Sequence, residues 1–132
     1  MIVDVTGPAV PRLSRASIAS FVERVLRASR ARGIEEVSIA FVSDSTMRRL
    51  NRQYRQRNQT TDVLTFPCDR PDIVISLDQA RRQAAAEKHS LATEVRYLIL
   101  HGVLHALGYD HETDQGEMNA LEMRVRGRVG LG

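Results

Sequence analysis

The chain has 132 residues, 19 Lys and Arg against 16 Asp and Glu, and one cysteine, Cys68. That length fits one domain over residues 1–132 with a core large enough to need no staple, and a lone thiol excludes an intramolecular disulfide and fits a reducing compartment. The start lacks a basic leader followed by an apolar run, and the longest apolar stretch is far below the ~20 residues of a membrane span, so a cytoplasmic protein without membrane contact is expected.

In chain order, residues 2–6 form a short β-rich stretch. A helix starts near Pro11 to Ser14, and Ile18, Phe21, Val22, Val25 and Leu26 share one of its faces; Gly33 is expected to end it. Val37, Ile39 and Phe41 alternate with Ser38 and Ala40, a half-buried strand. Ser43 or Asp44 can cap the next helix, whose buried stripe reads as Met47, Leu50 and Tyr54. Residues 63–66 are a third strand, stopped by Pro67, and residues 73–75 a fourth.

Residues 77–88 read as a mostly polar, exposed helix. Ser90 can cap the helix that follows, with Glu94 in its first turn, where a negative charge suits the helix dipole. That helix, residues 91–107, is apolar nearly all round and therefore central. Asp114 with Glu117 resembles a capping box for a last helix that turns Met118, Leu121 and Val125 inward. The fold expected is α+β: a small mixed sheet of about four strands packed with about five helices.

Three of the four histidines fall within eleven residues, at positions 101, 105 and 111. His101 and His105, four apart, sit one above the other on a helix face. Gly108 falls where a left-handed residue lets a helix end reverse, which can bring His111 back to the same ion. Imidazoles suit zinc, and three protein ligands with one open position form a catalytic arrangement; a structural site takes four and favours cysteine. Polar intrusions into an apolar helix are costly to bury without partners. The expectation is one zinc ion per chain on His101, His105 and His111.

The spacing H-x-x-x-H-x-x-G-x-x-H is that of metzincin proteases, whose first histidine is followed by the glutamate that acts as general base. Here Gly102 stands there and cannot take a proton. Asp110 and Glu112 read as loop carboxylates or as partners of a histidine.

Of the 19 cations only Lys88 is lysine, a bias that suits phosphate recognition and also follows from arginine-rich codon usage. Arg48, Arg49, Arg52, Arg55 and Arg57 crowd one helix and the loop after it. Most of them read as a solvated face; Arg55 opens the stretch that leads into Thr61-Asp62-Val63-Leu64-Thr65-Phe66-Pro67.

With Leu50-Asn51-x-x-Tyr54-Arg55 before that stretch, Asp72-Ile73-Val74-Ile75-Ser76 after it, and His101-Gly102-x-Leu104-His105-x-x-Gly108-Tyr109-Asp110-His111, the chain resembles the YbeY-type endoribonucleases, rRNA maturation factors. The chain departs from their pattern at Gln56, Asn58, Thr60 and Pro71. The resemblance implies a zinc on the three histidines and an active-site arginine at Arg55. It also implies single-stranded RNA as substrate, with roles in 16S rRNA 3′-end maturation on the small ribosomal subunit and in ribosome quality control. The chemistry expected is metal-assisted phosphodiester cleavage, with Arg55 stabilising added negative charge and the general base unassigned. Two rival readings stand beside it: a metallopeptidase, and a non-catalytic assembly factor that uses zinc for stability.

Overall fold

A computed structural model of the chain describes residues 1–56, 61–109 and 114–131. Its elements are β1 (Ile2–Thr6), α1 (Arg15–Ala28), β2 (Glu36–Val42), α2 (Asp44–Arg55), β3 (Val63–Phe66), β4 (Asp72–Ser76), α3 (Leu77–Glu87), α4 (Leu91–Ala106) and α5 (Glu117–Val129). The strands form one sheet in the order β1-β2-β4-β3. β1 and β4 each pair parallel with β2, and β3 pairs antiparallel with β4. The α+β architecture expected from the sequence is the one observed.

Alternation along the strands divides the core between the two sheet faces. Val37, Ile39 and Phe41 of β2 and Ile73 and Ile75 of β4 point to the face that packs against α1 and α4, on which α5 packs in turn. Val74 points the other way and joins Met47 of α2 and Leu64 of β3, with Ala40, Leu50 and Phe66 around them. Burying each large aliphatic side chain contributes roughly 1.5–3 kcal/mol, so the larger face, where α4 lies, carries most of the stability.

Several local expectations are corrected. α1 ends at Ala28 with Ser29 as its cap, and Gly33 lies in the turn beyond it, at φ +84°. The buried members of α2 are Met47 and Asn51, while Tyr54 is 57% exposed. Its ring meets Phe66 edge-on, centroids 5.2 Å apart. α3 is more anchored than its polar sequence suggests, because Leu77, Ala80 and Ala84 are buried.

The capping box of α5 is also modified. The Asp114 carboxylate accepts from the backbone N–H of Gly116 and Met118, but Glu117 accepts from Gln115 instead of reaching back to Asp114. Gly116, left-handed at φ +101°, takes the cap position, so Glu117 is the first helical residue and does not stand at the third position a capping box requires.

Candidate metal centre

The site is built on α4. Ser90 caps the helix, its hydroxyl accepting from the Thr93 N–H at 3.1 Å, and Val95, Leu98, Ile99, Leu100, Val103 and Leu104 are buried. Against that background His101 and His105 are only half-buried, so helical spacing sets the two imidazoles on the accessible side of a helix otherwise sunk in the core. His105 makes no side-chain hydrogen bond to described residues.

Between them Gly102 faces the sheet. A Cβ built there would lie 2.6 Å from Cγ2 of Ile73, a residue 1% exposed on β4. The Thr65 hydroxyl donates to the Gly102 carbonyl at 3.2 Å, a second tie between sheet and helix. The glycine at the position of a protease's glutamate thus answers a packing constraint: a side chain there would force Ile73 or the helix to shift.

α4 ends in a Schellman turn. Gly108 is left-handed at φ +97°, its N–H donates to the His105 carbonyl at 2.9 Å, and the Tyr109 N–H donates to the Leu104 carbonyl at 3.1 Å. The chain is therefore turned back just before His111. His111 itself, with Asp110 and Glu112, lies outside the described residues. Among the described residues no three His, Cys, Asp or Glu side chains form a group able to hold a metal ion. The two imidazoles on α4, four residues apart, are the donor chemistry zinc takes, and they fit two ligands of the expected three.

One functional candidate is absent from the sequence reading. Glu122 of α5 is buried and places Oε1 2.9 Å from Nε2 of His101. The signal was available: Met118, Leu121, Glu122 and Val125 follow one helical stripe, so an acid occupies an inward position of the last helix. A parallel pair sits nearer the start of α4, where His89 lies 2.6 Å from the buried Glu94 carboxylate and stacks on Tyr97. Tyr97 also carries the Arg126 guanidinium over its ring, 4.7 Å from the centroid.

His101 opens onto a cavity of about 530 Å³ walled by residues that include Asp62, His89, Glu94, Tyr97 and Glu122. Asp62 is occupied in fixing the start of β3: one oxygen accepts from the Val63 N–H, the other from the Gln83 side chain. Arg55 does not line this cavity. It is the last residue of α2, exposed, without an ion pair to the described residues, and Arg57, Asn58 and Thr60 beyond it lie outside them. Gln56, one of the departures from the family pattern, caps α2 in the left-handed region at φ +57°, a conformation glycine adopts without strain.

The comparisons with known proteins converge. The family model described as endoribonuclease YbeY matches residues 9–130. The endoribonuclease YbeY of Koribacter versatilis is 43% identical over 123 residues, covering 90% of this chain and 80% of that protein. That of Solibacter usitatus is 50% identical over 91 residues, 67% of this chain and 62% of that one. In fold, the chain is similar to the solution structure of TM1509 from Thermotoga maritima, with a TM-score of 0.65 over 97% of this chain and 89% of that one at 23% identity. Because the sequence match runs through β2 to β4, the histidine-bearing α4 and the closing α5, the chain belongs to the endoribonuclease YbeY family.

Proposed function

We propose that this chain is a metal-dependent endoribonuclease that cuts single-stranded RNA, with rRNA on the small ribosomal subunit as its target and 16S rRNA 3′-end maturation and ribosome quality control as its roles. The observation that carries the nuclease reading over the peptidase one is the seat of Gly102. A peptidase of this spacing needs a glutamate beside the first histidine, and here Ile73 occupies the space even a Cβ would need.

His101 and His105 hold the ion from α4, and His111 supplies the third nitrogen after the turn at Gly108. A zinc ion bound there supplies Lewis-acid chemistry to a phosphate oxygen. Arg55 contributes a planar, permanently charged donor fork at the end of α2, suited to an oxyanion that gains charge in the transition state. Family membership supports RNA as the substrate, and the lack of a helix long and apolar enough to cross a membrane among the described residues is compatible with action in the cytoplasm.

The test is single-turnover cleavage of a single-stranded RNA by the purified protein, with and without chelator, beside an unstructured peptide. RNA cleavage that chelator abolishes and zinc restores is expected, with no peptide cleavage. Arg55→Lys and Arg55→Ala each lose at least ~10²-fold in rate at saturating protein while keeping their metal. Peptide cleavage without RNA cleavage would reverse the reading. Variants that cut at the parent's rate once saturated would make Arg55 a binding residue only.

A further inference from the structure

Buried carboxylates are rare unless paired, because an ionised group taken out of water needs a partner. Glu122 is 7% exposed, and its carboxylate meets the ring of His101 from another helix. The backbone that carries it is fixed independently of any metal. Met118, Leu121 and Val125 anchor α5 in the core, Arg24 donates to the Val129 carbonyl at 2.9 Å, and Tyr97 donates to the Leu131 carbonyl at 2.8 Å. Glu122 is therefore carried on a helix anchored by core contacts and hydrogen bonds to backbone carbonyls.

We propose that Glu122 is a positioning residue of the metal centre. It engages one ring nitrogen of His101, fixing the tautomer and the ring plane so that the lone pair sits on the other nitrogen. This rests on the reading of His101 as a metal ligand. An imidazole whose far side is held by a carboxylate is a more basic ligand and loses less freedom on binding, which raises metal affinity. The consequence concerns the whole element: α5, which follows the histidine motif in sequence, belongs to the site as much as α4 does.

The experiment measures zinc affinity by chelator competition, and the visible spectrum of the cobalt-loaded protein, for Glu122→Gln, Glu122→Ala, His101→Ala and Glu94→Gln. Glu94→Gln makes the same change at the His89 pair and controls for a general effect of removing a buried carboxylate. Affinity is expected to fall by about tenfold for Glu122→Gln and up to about 100-fold for Glu122→Ala. The cobalt band should shift in Glu122→Gln, while Glu94→Gln keeps the parent's affinity and spectrum.

Glu122→Gln, nearly the same shape, keeps the test valid if Glu122→Ala does not fold; the melting curve of its metal-free form should match the parent's. Parental affinity in the Glu122 variants would overturn the proposal. So would a loss as complete as that of His101→Ala, which would make Glu122 a direct ligand. If His101→Ala itself keeps full affinity, the metal-ligand reading fails and the proposal with it.

Discussion

A single missing side chain decides what α4 can do. Gly102 lets the helix approach β4 until Ile73 fills the place of a β-carbon, and the same closeness brings the Thr65 hydroxyl to the helix carbonyl. The substitution Gly102→Ala should therefore destabilise the protein by about 1–3 kcal/mol through overpacking against a β-branched strand residue, although alanine favours a helix over glycine by up to ~1 kcal/mol. Chemical denaturation of the metal-free protein measures this, and a gain in stability would show that Ile73 yields without cost. Tyr54 shows the opposite case: its position satisfied the helical stripe, yet the ring lies exposed and meets the sheet edge-on at Phe66, while Met47 and Leu50 carry the packing of α2 in the core.

At the scale of elements, α2 is held at one end and free to display charge at the other. Its Asp44 N–H donates to the Asp78 carboxylate, the Asp44 side chain accepts from the Ser76 hydroxyl, and Arg82 pairs with it at 2.6 Å. Arg48, Arg49, Arg52 and Arg55 are exposed, and Arg52 and Arg55 lie in the last turn, where the helix dipole favours cations. If Arg48, Arg49 and Arg52 meet three phosphates of a single strand, replacing all three with alanine lowers the slope of log affinity against log salt by about 2. A titration series over salt concentration checks this; an unchanged slope would leave the three as solvated surface.

For the molecule as a whole, the candidate functional residues lie on elements distant in sequence, and Arg55 stands outside the cavity that His101 opens onto. The metal candidates His101 and His105 lie on α4, the carboxylate that meets His101 on α5, and Arg55 at the end of α2. An ion that binds only the folded arrangement stabilises all of it: at a hundredfold excess over Kd the gain is ~2.7 kcal/mol, which for a chain of this size raises Tm by roughly 10 °C. Thermal melts before and after metal stripping test this, and identical curves after verified metal loss would mean that the fold carries the site without help from the ion.

The sequence alone determined the order and kind of the elements, since strand alternation and helical stripes need only residue spacing, and it determined the histidine motif, because a spacing of four on a helix is local geometry. It also marked Gly102 as the departure from a protease. Only the tertiary structure decided which packing constraint that glycine answers, because the clash partner, Ile73, is 29 positions away on another element. The same holds for Glu122: its inward position was legible in the stripe of α5, but its partner was not, since the contact with His101 exists only once α5 has packed beside α4. Spacing along the chain predicts which face a residue occupies; what it meets there is set by how the elements pack.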